Sequence, residues 1–191
     1  MPRVRRFTRA ELESFRDTEV PDLLGDEVRL LFVGINPGLW TAATQSHFAH
    51  PVNRFYPALL RAGIIDRPID PSAGMTDADR DLLRSRGIGI TNLVRRATAR
   101  ADELSREEMR EGGERLRELV RRVAPRVVAF AGITAYRHAF AHPKALLGRQ
   151  PEPFVGADLW VVPNPSGLNA HETVATLAAA YAEPARAAGV L

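Results

Sequence analysis

The chain has 191 residues, 45% of them hydrophobic and 26% charged, with 14 glycines, 14 prolines and no cysteine. That length and balance suit one globular domain with an ample core, and the missing cysteines exclude disulfides, thiolate nucleophiles, Cys-ligated zinc and Cys-ligated iron–sulfur clusters. The basic residues are almost all arginine, Lys144 being the only lysine, and the formal net charge of +3 mildly favours a polyanionic partner.

In chain order, the Arg-rich start from Pro2 to Arg9 lacks the apolar stretch of a secretory leader. No apolar run approaches the roughly 18 residues that span a bilayer. A cytoplasmic protein without a membrane partner is therefore expected, nucleoid-associated in a bacterium. The organisation reads as a single domain over residues 1–191, with residues 1–26 a basic N-terminal extension. Val28 to Gly34 is the first of four β-type runs, followed by Gly89 to Leu93, Arg126 to Ala131 and Leu159 to Val162. Each is too short and too rich in Val, Ile and Leu for an amphipathic surface helix, and together they fit a mostly parallel sheet buried on both faces. Helices are predicted over Asn53 to Ala62, Thr76 to Arg86 with Thr76 as N-cap, Ser105 to Val123 with capping-box spacing at Ser105 and Glu108, Thr134 to Ala141, and Glu172 to about Ala188, where Pro184 is expected to end or kink the helix. Strands alternating with helices predict a three-layer α/β/α sandwich around a short sheet.

Two strand-to-loop junctions carry the chemistry. Gly34-Ile35-Asn36-Pro37-Gly38 follows the first strand, and Pro163-Asn164-Pro165-Ser166-Gly167-Leu168-Asn169 follows the last. In open α/β sheets ligands bind beyond the carboxyl ends of the strands, so the two loops are expected to line one cleft. Asn36 either caps its turn or holds a water through its amide oxygen and nitrogen at once, which suits a reaction with a dissociative, cation-like transition state. Between Phe48 and Tyr56, aromatic rings alternate with Asn53, Arg54 and His50, a mixture that stacks a planar base and contacts phosphate. Phe55 and Tyr56 read as core residues of the helix, and Phe48, outside it, as the stacking candidate. His138 and His142 have i, i+4 spacing but no third ligand, and read as surface histidines.

The ordered set Gly34-Ile35-Asn36-Pro37-Gly38-Leu39, Phe48-Ala49-His50-Pro51-Val52-Asn53-Arg54-Phe55 and Asn164-Pro165-Ser166-Gly167-Leu168 resembles the mismatch-specific uracil-DNA glycosylases, relatives of thymine-DNA glycosylase within the uracil-DNA glycosylase superfamily. Glu111-Gly112-Gly113 is similar to the family as well, and the resemblance spans about Glu27 to Tyr181. It implies the uracil-DNA glycosylase-like fold and removal of uracil, or of thymine and modified pyrimidines opposite guanine, after the nucleotide flips into a pocket at an unstacking cost of about a few kcal/mol. By that resemblance Asn36 positions the attacking water and Phe48 stacks the base; Asn92, by its place at the carboxyl end of the second strand, either faces the pocket to assist with water or base or is simply a satisfied loop residue. Ile35, Gly38, Asn164 and Ser166 bind substrate. Gly167, Leu168 and Asn169 form the wedge that enters the duplex, and apart from the resemblance Arg54, Arg95, Arg96 and Arg100 read as contacts to phosphates. Backbone N–H groups from Ile35 to Gly38 and around Phe48 are candidates to stabilise the departing base.

Burying a leucine gains roughly 1.5–3 kcal/mol, enough to offset most of the flipping cost. Lys144, the only lysine, lies away from every motif, so no Schiff base and no strand nicking are expected. No cofactor or metal is expected, and the implied partner is double-stranded DNA with G·U, and by extension G·T, mismatches, bound by a monomer. Ala170 stands where relatives often have arginine, which weakens recognition of the orphaned strand or shifts it to Asn169 or His171. Arg95 stands where relatives usually have an acidic residue. With Asp26 and Glu27 at the wrong end of the first strand, a carboxylate base is not assured and slow turnover is expected. The alternative is a non-catalytic mismatch or damaged-DNA binding module. A phosphate-binding loop of the Gly-x-x-x-x-Gly-Lys type is absent, which disfavours an unrelated nucleotide enzyme.

Overall fold

The computed structural model describes residues 7–191, so the basic start up to Arg6 lies outside the described residues. The elements in chain order are α1 (Arg9–Glu13), β1 (Leu30–Gly34), α2 (Leu39–Thr44), α3 (Phe55–Arg61), α4 (Asp77–Ser85), β2 (Ile88–Asn92), a 3-10 turn (Ala101–Glu103), α5 (Arg106–Val123), β3 (Val127–Ala131), α6 (Ile133–Ala139), β4 (Gly148–Arg149), β5 (Asp158–Val162) and α7 (Val174–Ala187). The sheet order is β2-β1-β3-β5-β4, parallel except for the two-residue β4 at one edge.

Alternation along the strands sorts the core into two halves. Leu30 and Phe32 of β1 face Phe55, Leu59, Leu83, Leu177 and Tyr181 from α3, α4 and α7, while Leu31 and Val33 face Leu116, Val120 and Tyr136 from α5 and α6. β1, β2 and β3 are buried on both faces, which is why β1 and β3 read as unbroken apolar runs rather than alternating ones, while β5 leaves Asp158 and Trp160 half-buried. The expected three-layer α/β/α sandwich is present.

Local chemistry sets the helix starts where the sequence places them. Thr76 accepts from the Asp79 N–H and Ser105 from the Glu108 N–H, each with the reciprocal bond of a capping box. Two boundaries differ from expectation. The helix α7 runs through Pro184 to Ala187, because Pro184 is buried in the last turn and only the bond to the carbonyl four residues back is lost. The helix α6 stops at Ala139, and Ala141 adopts a left-handed φ of 55°, so His142 leaves the helix and stacks on Tyr136 instead of aligning with His138. The N-terminal segment is also built into the fold. Leu23 exchanges two main-chain bonds with Ile90, Ala97 donates to Thr18, and Asp17 donates to Ala97, which covers the outer edge of β2.

Register places the functional loops on one level. Gly34 pairs with Asn92, and Ala131 pairs with Val162, so the segments after β1, β2, β3 and β5 open together at the carboxyl edge. Two core tyrosines hold these segments from below: the Tyr56 hydroxyl of α3 donates to the His47 carbonyl (3.0 Å), and that of Tyr181 in α7 donates to the Pro163 carbonyl (3.0 Å). Burial raises the pKa of both phenols and keeps them as donors.

Candidate active site at the carboxyl edge of the sheet

A cleft of about 500 Å³ opens over these strand ends, with Asn36, His47, Phe48, Asn92, Asn164 and Leu168 in its wall. Ile35, Gly38, Ser166 and Gly167 line it too, so both predicted loops meet there.

Asn36 is held rigidly. Its Nδ2 donates to the Thr98 hydroxyl (2.8 Å), the Arg96 carbonyl (3.1 Å) and the Pro37 carbonyl (3.2 Å). Two of these partners can only accept, and the Thr98 hydroxyl spends its own proton on the Arg100 carbonyl (2.8 Å), so the chemistry of the partners fixes the orientation of the amide. The oxygen accepts from no donor among the described residues and is the end left for a ligand. The expectation that Asn36 grips a water through both atoms is thereby corrected: only Oδ1 is available. Thr98, 62 residues away, was not marked by any motif.

Phe48 adopts a left-handed φ of 55°, a costly conformation for an aromatic residue. The turn is held by the Ala49 N–H, which donates to the Thr41 hydroxyl, and by the Tyr56 bond to His47. The ring lies on Phe55 (4.1 Å between centroids, 24° between planes) and lines the cleft. Phe55 and Tyr56 are buried in the core, as their helical positions predict.

Below Phe48, Gly34 leaves a gap. A Cβ there would lie 2.5 Å from Asn92 Oδ1 and 3.4 Å from the Phe48 ring, so glycine lets the Asn92 amide and the aromatic edge converge. Asn92 is buried, and its Nδ2 faces Nδ1 of His47 at 3.4 Å. His47 stands one residue before the segment the sequence marks out, and nothing local signals its partner 45 residues away.

The loop after β5 is built from its own polar groups. Asn164 Oδ1 accepts from the Ser166 N–H (2.9 Å), Ser166 Oγ from the Leu168 N–H (3.2 Å), and Asn169 spends its amide on the Asn164 carbonyl and the His171 N–H. Gly167 lies against Val52, whose carbonyl oxygen would be 2.7 Å from a Cβ. Leu168 at the tip is 88% exposed. Arg54, expected on DNA phosphates, instead turns inward: its guanidinium donates to the carbonyls of Glu172 (2.7 Å), Asn169 (3.0 Å) and Gly167 (3.3 Å). It is the strut of this loop, because three orphan carbonyls converge on its fork of donors.

Arg96 is also committed, to Glu108 and Asp17, which raises its own pKa and holds the Glu108 carboxyl down at about 2. Arg95 pairs with Glu19 at 3.4 Å. Arg100 lines the cleft but is bidentate with Asp102 (2.9 and 2.8 Å). Asp102 is thus a carboxylate at the cleft rim that sequence reading did not place there. Asn169 is spent within its loop, leaving the exposed His171 as the free side chain beside Ala170. Lys144 is not among the lining residues.

Fold and cleft together define an α/β protein with a cleft of amides and an aromatic ring beyond the carboxyl ends of its parallel strands, and an apolar tip beside the opening. Residues 21–184 match the family model of the uracil DNA glycosylase superfamily, and the chain belongs to that superfamily. Among solved structures it is similar to a Methanosarcina acetivorans protein, determined by solution NMR and named as a candidate uracil DNA glycosylase, at 17% identity and a TM-score of 0.58, covering 86% of this chain and 98% of that one. Superfamily membership supports a DNA glycosylase role.

Proposed function

We propose that the protein is a monofunctional DNA glycosylase that flips uracil out of mismatched duplex DNA, G·U above all, and hydrolyses the N-glycosidic bond. The observation that carries this reading is Leu168: a leucine 88% exposed on a loop braced by Arg54 and by its own side chains, at the mouth of a cleft that holds Asn36 and Phe48. Exposing a leucine on a rigid loop forgoes burial worth about 1.5–3 kcal/mol unless a partner supplies it, and the gap left by an extruded base does so.

The chemistry follows from what each group has left to offer. The extruded pyrimidine lies on Phe48. Asn36 Oδ1 accepts a hydrogen bond from the attacking water and directs it at the sugar as the bond to the base breaks. The carbonyls of Gly34, Ile35 and Pro37 are taken by the N–H groups of Leu93, Val94 and Thr98, so this loop meets the departing base anion with main-chain donors. Without a free carboxylate at the water, turnover is slow. The exposed His171, three residues past Leu168, faces the backbone of the duplex.

The test is a labelled duplex with one G·U pair, incubated with the protein and treated with alkali. Cleavage at the uracil, with the strand intact before alkali, is expected. An intact uracil across sequence contexts and pH, alongside tight mismatch binding, would replace this reading with that of a non-catalytic binding module.

A further inference from the structure

We propose that His47 is a positioning residue that fixes which end of the Asn92 amide meets the flipped base, setting the cleft to accept bases that present an N–H on that edge. The inference rests on the glycosylase reading above and adds a residue to it.

His47 is 97% buried by its 3% exposure, and its Nε2 lies 2.8 Å from the Pro21 carbonyl. A carbonyl oxygen only accepts, so Nε2 carries the proton. Burial lowers the pKa of the ring, with the Pro21 bond and Asp22 opposing that shift, and a neutral ring protonated on Nε2 leaves a lone pair on Nδ1. That lone pair faces the Asn92 amide at 3.4 Å. With Nδ2 toward His47 the contact is attractive; with the amide reversed, two lone pairs would oppose each other inside the protein.

Nδ2 therefore turns to His47 and Oδ1 to the space above Gly34, 2.5 Å from the point a Cβ would occupy and beside the Phe48 ring. Among the described residues no donor reaches this oxygen. The cleft thus displays an acceptor next to its stacking platform. Uracil and thymine carry an imide N–H that satisfies such an acceptor, whereas cytosine has a bare ring nitrogen at the same place and meets it with repulsion. In this way a main-chain carbonyl at Pro21, outside the cleft lining, reaches the base through two side chains.

The test combines two readouts on the full chain. Histidine ¹⁵N NMR is expected to show His47 unprotonated at Nδ1 and protonated at Nε2; protonation at Nδ1 overturns the proposal and needs no substrate. Free uracil and free 3-methyluracil, which lacks the imide N–H, are then used as competitors of G·U excision. The wild type is expected to favour uracil by about tenfold or more, the range of one lost hydrogen bond at a buried polar group. His47→Leu should bring the ratio to within about threefold, and His47→Asn, which restores an acceptor near Nδ1, should recover it. An unchanged ratio in a folded His47→Leu protein overturns the proposal, as does failure of His47→Asn to differ from His47→Leu. Absence of excision by the wild type overturns the glycosylase reading instead, while the tautomer still decides the orientation of Asn92.

Discussion

At the amino end of the sheet a cavity of about 670 Å³ is walled by Asp26, Glu27, Arg29, Arg84 and Arg126, whereas the smaller one at the carboxyl end, about 500 Å³, is walled mainly by amides, aromatic rings and main chain. The larger cavity has the stronger charges: Arg29 holds the carbonyls of Gly189 and Arg86 and Arg84 holds that of Leu24, so these two fasten chain segments together, while Asp26, Glu27 and Arg126 are exposed charges without a hydrogen-bond or ion-pair partner among the described residues. At the carboxyl end each lining amide spends one atom on the protein and keeps the other for the cleft, beside an aromatic ring. The contrast is between solvated charges and neutral polar atoms held in one orientation, and the second arrangement, rather than volume or charge, suits chemistry on a planar polar group.

The largest effect that bears on this contrast is expected from Asn36→Ala. Single-turnover excision of uracil should fall about 10²- to 10³-fold, in the range of one lost transition-state partner, while mismatch binding measured by fluorescence anisotropy is preserved. Full activity in that variant would remove Asn36 from the mechanism. Next comes Leu168→Ala, with a loss of about 10- to 100-fold in kcat/KM on duplex and little on a single strand, because the gap to be filled exists only in the duplex. Equal losses on both substrates would argue against a wedge. Arg54→Ala should cost about 1.5–3 kcal/mol of local order, the value of hydrogen bonds to a charged donor, and limited proteolysis should then cut between residues 166 and 170. A smaller effect concerns stability. Arg96 and the Ser105 N–H hold the Glu108 carboxyl at about 2 instead of 4.5, so its contribution is fully present above pH 4.5 and is lost as the pH falls toward 2. Thermal melts over that window should show a shallower loss in Glu108→Gln. Smallest of all, Arg126→Ala at the amino end should leave excision within about twofold of wild type, as expected for a surface substitution away from the site.

Much of this was legible in the sequence. β1 and β3 announce themselves because burial on both faces makes them continuous apolar runs, β2 and β5 by short runs rich in Ile, Leu and Val, and the capping boxes at Thr76 and Ser105 mark helix starts by chemistry local to four residues. Helices α1 and α2, of five and six residues, are too short for a 3.6-residue period to be read, although Thr8 and Glu11 do form a capping box. Asn36, Phe48 and Leu168 were visible through their motifs, and the structure brings all three to one cleft. What each side chain spends its atoms on was not. The partners of the Asn36 amide lie 60 and 62 residues onward, and the carbonyls that claim Arg54 lie 113 to 118 residues onward, so a guanidinium that looks free beside aromatic residues proves to be structural. Spatial partnership of this kind leaves no local pattern.

The contact between Val52 and Gly167 has one more implication. These residues belong to segments more than a hundred positions apart, one just past the aromatic platform and the other just before the exposed leucine, and they touch so closely that no side chain fits at Gly167. The separation between the Phe48 ring and the Leu168 tip is therefore a gauge cut when the chain folds, and under the proposed function it is the duplex that must distort to match it.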